Sequence, residues 1–428
     1  MKFIVNRWNG WMPVESTALE RIIMALIALA PVFYLSIPHW ITNISILSIL
    51  LILASSIFYR NYFSVYKNAA LLPFLCMFLV YFLSIFVSQL GRGVFVSKEY
   101  LDQTRWLLGI PFFAFLYYFR IDFSLMLRWC APLVVIFAWI SSTFFIPSDA
   151  WGDRATIEFM DPLAFGFMSL SVGLMCLVTA ILDLRRGGIS KLAVLNLVGF
   201  LVGLYISLRS GSRTGWPAFP FVLLLIAVVQ FEKSTKGRIY SVLLLVLPLC
   251  VIALLSTTFR MRMADFVNEV SSYPWHGGVA SDTSVGMRIT FYRLGVYYFS
   301  ESPWFGWGDR GYLVIKDAAE VLRFSTAYTR DFAYHALFHS EWTTQAVRFG
   351  VLGLFAVFWV FAVPVYFFFT RLRSHTHAAL MGLAFLMCQL AASFSTEIYS
   401  SKGMITFSVV VVSGLLVSIL AGNGNTDR

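Results

Sequence analysis

The stretch Ala69–Leu90, AALLPFLCMFLVYFLSIFVSQL, decides the fold class: it runs 22 residues without one charged side chain. An α-helix rises about 1.5 Å per residue, so a run of this length crosses a hydrocarbon core of roughly 30 Å. Hydrocarbon offers backbone N–H and C=O groups no water, so such a run must bond within itself as a helix. Similar runs lie outward on both sides, near 19–37, 41–59, 105–119, 124–146, 162–183, 190–208, 214–231, 239–258, 345–370, 375–395 and 402–421. The expected architecture is an all-α polytopic membrane protein of about 12 transmembrane helices. The fourth run is short and contains Gly109 and Pro111, which fits a tilted or partly re-entrant helix.

Composition agrees. Of 428 residues, 59% are hydrophobic and 13% charged, too little charge to clothe the surface of soluble domains. The charged residues fall in short groups between the apolar runs. Glu15, Glu20 and Arg21 precede the first run with no small-residue cleavage site, so no cleavable signal peptide is expected. Cys76, Cys130, Cys176, Cys250 and Cys388 all lie inside apolar runs and form no metal-binding spacing; they read as small packing residues.

The charge pattern sets the topology. Arg60 and Lys67, Arg120 and Arg128, Arg185, Arg186 and Lys191, Lys233, Lys236 and Arg238, and Arg371 and Arg373 occupy alternate loops, as expected of the cytoplasmic side. The net charge of +10 belongs to this bias and implies membrane lipids rather than nucleic acid as its partner. Both termini are then cytoplasmic. Residues 1–258 hold nine spans, 259–344 form a large outer loop with helices of its own, and 345–428 hold three more spans. A loop of that length exceeds what a connector needs. Within it, Val285–Ser300 reads as a helix ended near Pro303, and Tyr312–Phe324 as an amphipathic stretch of about three turns. Two outer segments oppose the bias: one holds Arg92, Lys98 and Arg105, the other Arg209 and Arg213. An anionic ligand at the outer face would keep basic residues there; lipid head groups are the other use for them.

Three segments carry the chemistry: SGSRTGW (210–216), MRITFYRLGVYYFSESPWFGWGDRGY (287–312) and HSEWTTQAVRFGVLG (339–353). Together, over roughly residues 200–360, they resemble the O-antigen ligase and polymerase superfamily, the Wzy-C domain family. That family combines an S-R-x-x-W/A element opening a membrane helix, an Arg-bearing helix before a P-x-F/W-G-x-G turn, and His-Asn/Ser followed eleven residues on by Gly-x-x-Gly. Here His339 precedes Gly350 by eleven, and Gly353 follows. The resemblance implies a GT-C-like membrane glycosyltransferase of the bacterial inner membrane, with its site facing the periplasm. It implies an undecaprenyl-diphosphate-linked glycan as donor, a lipid A-core sugar as acceptor, an inverting transfer, and no metal or other cofactor. A single dominant outer loop resembles the ligases more than the polymerases. A protein O-oligosaccharyltransferase of the same superfamily is a further reading, and a membrane transporter is the rival from another class.

The residues themselves support a site of this kind. Arg213, at the outer start of the eighth run, and Arg288, on the loop helix, present guanidinium forks that match diphosphate oxygens. Local ion pairs or lipid phosphate would be their other employment. His339, next to the tenth span, is suited to take a proton from a hydroxyl near neutral pH. His335 is the fallback; were both on one helix they would share a face. Arg92, Lys98, Arg209 and Arg293 are secondary phosphate contacts, and Glu341 is a carboxylate near His339 in sequence, although two residues apart is the wrong spacing to face it on a helix.

Overall fold

The computed structural model describes residues 16–145, 154–230, 257–279, 282–336, 338–399 and 401–422, together with Gly152, Lys236 and Ile239. Among these residues the chain is helical, with one isolated β-bridge, Ile157 to Met160, and no strand. The helices are α1 (Ala18–Leu29), α2 (Trp40–Phe58), α3 (Leu72–Arg92), α4 (Gly109–Tyr118), α5 (Phe123–Phe144), α6 (Pro162–Gly187), α7 (Lys191–Ser210) and α8 (Ala218–Gln230). In the loop region come α9 (Thr257–Ser271), α10 (Ser284–Glu301) and α11 (Ala327–Ala336), followed by α12 (Glu341–Thr370), α13 (Thr376–Ser393) and α14 (Lys402–Ala421). Eight of them, α2, α3, α5, α6, α7, α12, α13 and α14, are long and apolar enough to cross a membrane. The chain is thus an all-α polytopic membrane protein.

Three expected spans are shorter than their apolar runs. α1 gives way to successive turns over residues 30–39, and α4 is preceded by a 3-10 segment, Gln103–Leu108. α8 begins at Ala218 rather than 214, because Pro217 disfavours helical geometry at Trp216 before it. The ninth expected span, 239–258, lies outside the described residues apart from Ile239 and its last two positions.

Helix starts are written locally. Asp161 accepts the N–H groups of Leu163 and Ala164 ahead of Pro162 at the first position of α6. Ser190, Thr283 and Ser340 cap α7, α10 and α12 in the same way. α6 and α14 are buried along almost their whole length, and the other long helices pack around them.

The loop has a small core of its own, in which Phe291, Leu294 and Tyr298 of α10 meet Tyr312, Val321, Phe324 and Phe338. The expected amphipathic helix over 312–324 is instead broken into a 3-10 segment, Gly311–Ile315, and a single turn, Ala319–Leu322. Tyr312 and Val321 are nine residues apart, half a revolution out of phase on a continuous α-helix, so burying both in one core requires the break.

The Gly-aromatic turn docks the loop onto α12. Trp307 N–H donates to Val347 O at 2.9 Å, Gly308 N–H to Arg348 O at 2.8 Å, and Val351 N–H to Pro303 O at 2.8 Å. α12 opens at this point: Gly350 has φ 64° and ψ −146° inside the helix. A Cβ on Gly306 would meet the Arg348 carbonyl at 2.5 Å, and one on Gly350 would meet the Pro303 carbonyl oxygen at 2.5 Å. Two glycines from separate motifs therefore face one backbone crossing that no side chain would permit.

Candidate functional site

His339 stands in the short link between α11 and α12, in the left-handed region at φ 47°. The next residue, Ser340, is extended and caps α12, so the chain must turn sharply within one residue. Phe338 N–H donates to Thr344 Oγ1 at 3.4 Å, and Thr344 Oγ1 donates to Glu397 Oε1 at 3.0 Å. The imidazole is packed between the rings of Phe291, at 5.4 Å, and Phe332, at 5.5 Å. Its Nδ1 lies 4.0 Å from Glu397 Oε2.

Arg288 is on α10, one turn before Phe291, and donates to Ser284 Oγ at 3.0 Å. Burial lowers the proton affinity of His339, and the positive charge of Arg288 lowers it further, while Asp161 opposes both. The ring is therefore neutral near pH 7, with a lone pair free to accept a proton. Burial also lowers Arg288 from its ordinary value. Glu397 is pushed up to about 7, chiefly by burial.

Arg213 lies in the turn between α7 and α8, not on the α8 terminus, and is exposed. Its neighbour Ser212 donates to Leu163 O at 3.0 Å and shares a hydrogen bond with Thr214 Oγ1 at 3.1 Å. This pins the turn against the first turn of α6, beside Asp161. Arg154 closes the same turn by donating Nε–H to Ser210 O at 2.7 Å, and Arg209 is exposed at the end of α7. Positive charge thus collects on one short segment, and among the described residues Arg209 and Arg213 make no ion pair.

The other sequence candidates are placed elsewhere. Arg92 is tied to Glu99 by bonds of 2.5 and 3.1 Å, and Glu99 also accepts from Gln89 Nε2 at 2.9 Å and Asp309 N–H at 3.3 Å. Burial raises the Glu99 carboxyl, but these donors outweigh it and hold the group below its usual range. Asp309 in turn accepts from Arg348 Nε at 2.8 Å, so Arg92 fastens the loop to the bundle. Lys98 is exposed beside it. Arg293 holds the loop together, donating to Pro274 O at 3.3 Å and lying 4.3 Å over the Phe324 ring. His335 and His339 do not share a helix: α11 ends at Ala336, and His339 itself forms the break.

Glu341 is fully buried and faces away from His339. It accepts from Tyr399 N–H at 3.0 Å, Gln345 Nε2 at 2.8 Å and Tyr81 OH at 3.4 Å. It anchors the 397–399 segment, and Glu397 is the carboxylate that meets the imidazole. The sequence carried a signal for it: Glu397 is the only acidic residue between Glu341 and Asp427. Asp161 and Arg154 were missed with it, because each acts through a fold contact with a distant segment. Among the described residues no three His, Cys, Asp or Glu side chains gather closely enough to hold a metal ion.

Residues 197–358 match the family model Wzy_C, described as O-antigen ligase, consistent with the O-antigen ligase and polymerase superfamily. The matched segment includes Arg213, Arg288 and His339 and stops short of Glu397. An uncharacterized protein of Haemophilus influenzae is 22% identical over 188 residues. That similarity spans 43% of this chain and 46% of the relative, so less than half of the relative's length is covered.

Proposed function

We propose that this chain is an O-antigen ligase of the bacterial inner membrane, acting at the periplasmic face with both termini in the cytoplasm. It transfers a glycan from undecaprenyl diphosphate to a sugar hydroxyl of the lipid A core. The observation that carries the reading is the packing of a neutral, half-buried His339 against Phe291 of α10, one turn from Arg288, whose charge acts on it, within the segment matched to the ligase family. Arg288 and Arg213 hold the diphosphate and stabilise its charge as it leaves. Arg209, at the end of α7, and Arg154, which bonds to the Arg213 turn, add to that field. The neutral His339 imidazole accepts the proton of the acceptor hydroxyl. The hydroxyl oxygen attacks the anomeric carbon from the side opposite the diphosphate, so one C–O bond forms as the other breaks and the configuration inverts. Tyr292 and Phe394, exposed and joined by a hydrogen bond one turn from Arg288, offer apolar surface to the polyprenyl tail.

A deletion strain complemented with the wild type or with His339→Ala tests the reading. The wild type restores long chains on lipopolysaccharide. His339→Ala expresses, still binds donor and leaves polymer on the carrier, with transfer reduced on the order of 10²–10⁴-fold. Lipopolysaccharide capped by one repeat in the deletion strain would instead identify a polymerase, and unchanged lipopolysaccharide with under-glycosylated protein an O-oligosaccharyltransferase. Undiminished movement of substrate by His339→Ala would favour a transporter. Purified enzyme retains its rate in EDTA; loss restored by magnesium or manganese contradicts the arginine mechanism.

A further inference from the structure

The end of the bundle that holds His339 contains a cavity of about 340 Å³, which the transfer mechanism does not use. Tyr34, His39, Trp40, Thr42, Asp102 and Lys402 supply its polar and aromatic lining. Four separated parts of the chain meet there: the turn between α1 and α2, the link before α4, the residues before α6, and the first turn of α14. Its volume falls in the range of small-molecule sites.

Three features suit it to a ligand. Tyr34 is 2% exposed, and among the described residues its hydroxyl has no hydrogen-bond partner. A buried hydroxyl in that condition is unfavourable until something bonds to it. His39 holds a left-handed φ of 59°, and this kind of strain is concentrated at ligand sites. Trp40 is fixed in place by an N–H bond to Leu29 O at 3.4 Å and by edge contact with Phe33 at 5.1 Å, leaving an aromatic surface on the cavity wall.

The lining selects the ligand class. A carboxylate, Asp102, and an ammonium, Lys402, share the wall with Thr42 and Tyr34 hydroxyls and the His39 ring. Asp102 would repel a phosphate, and so many polar groups would be wasted on an acyl chain. A neutral, polyhydroxylated ring satisfies both signs at once, its hydroxyls donating to Asp102 and accepting from Lys402 while its C–H face lies on Trp40. The cavity also shares two backbone segments with the reaction site. Phe159 and Met160 on its wall directly precede Asp161, and Ser401 and Lys402 follow the segment that carries Glu397.

We infer that this cavity binds a sugar unit of the glycan, away from the bond that reacts. Assigning the sugar to the transferred glycan or its acceptor rests on the proposed function; sugar binding as such does not. The test is saturation-transfer NMR on the full-length protein in lipid nanodiscs. The probes are two oligosaccharides released by mild acid, one from the carrier-linked glycan and one from the lipid A core. At least one receives saturation from the wild type and from His339→Ala, and its signal falls at least fivefold in Trp40→Leu and in Asp102→Asn. The oligosaccharide that responds identifies the cavity as belonging to donor or acceptor. No transfer to either probe, or undiminished transfer in both cavity variants, overturns the inference. Asp102→Asn is isosteric and its melting curve serves as the folding control. The two readings fail separately: active His339→Ala would sink the transferase, while the cavity variants alone decide sugar binding.

Discussion

Arg128 and Arg288 both stand on helices at an end of the bundle, yet their charges are put to opposite uses. Arg128 of α5 lies 2.5 Å from Asp183 of α6, and His377 of α13 lies 3.5 Å from the same carboxylate oxygen. Nearby, Glu20 accepts from Tyr62 at 2.7 Å and sits 3.6 Å from Arg60. In both clusters a charge finds an opposite one on a separate segment and fastens the two. At the loop end, Arg288 donates to the Ser284 hydroxyl and its charge acts on His339, while Arg209 and Arg213 lie exposed at the end of α7 and in the turn after it. Like charge is concentrated there, and Arg288 adds to the burial that holds His339 neutral, while burial drives Glu397 up to about 7. A fastening and a binding site can both be built from arginine; the difference lies in whether the fold supplies the counter-charge.

The sharpest way to break this contrast is to remove the loop-end charge. Arg288→Gln and Arg213→Gln each reduce glycan transfer on the order of 10²–10³-fold, as expected when one charge-stabilising group is lost, with melting curves close to wild type. A variant that unfolds, or one that transfers at the normal rate, would place that arginine among the fastenings. The converse change at the other end acts on stability. Arg128→Met leaves Asp183 buried beside His377 without its guanidinium and lowers stability by about 3–5 kcal/mol. Transfer per folded molecule stays within twofold, measured after normalising for monodisperse protein.

A smaller effect tests whether Arg288 and His339 truly share a field. Burial lowers His339 first, and Arg288 adds to it. Replacing Arg288 by Gln removes a positive charge near the imidazolium, so the His339 pKa rises toward its ordinary value. Histidine-selective NMR on the isotopically labelled protein reads the shift directly. Arg128→Met, at the far end, leaves the His339 titration where it was. Equal curves for wild type and Arg288→Gln would separate the two groups.

Much of this contrast was legible from the sequence because it depends on runs and spacings. Eight apolar runs became long helices, and the loop helix expected over 285–300 runs from Ser284 to Glu301. The alternation of basic loops put Arg60 and Arg128 at the fastening end. The spacing from His339 to Gly350 marked the segment where the Gly306 turn crosses α12, though nothing in a linear pattern shows that two glycines meet. What escaped was whatever depends on segments far apart in the chain. Glu341, two residues from His339, looked nearer than Glu397, fifty-eight residues away; helix geometry turns the first inward and the fold delivers the second. Arg92 looked like a phosphate ligand because its partner Glu99 is seven residues on, across the bend that ends α3. The break at 312–324 follows from a core that only the folded loop defines.

The smallest expected effect concerns Glu397, where site and stability meet. Its folded-state pKa of about 7 lies above the ordinary carboxylate value of 4.5, so the folded protein binds this proton more tightly than the unfolded chain does. Below pH 4.5 both states are protonated and the position makes no demand on the fold. As pH rises from 4.5 to 7 the unfolded chain ionises first, and stability falls; above 7 the full penalty is present. Glu397→Gln keeps an oxygen for the Thr344 hydroxyl and removes the ionisation. The variant should therefore melt higher than wild type at pH 8 and together with it at pH 4. The corresponding substitution at the fastening end, Asp183→Asn, goes the other way, because Arg128 and His377 lie against the Asp183 carboxylate and its charge contributes to the fold at pH 8. If Glu397→Gln is instead destabilised at pH 8 like Asp183→Asn, then Glu397 is ionised and paired, and the loop end is fastened by the same means as the other.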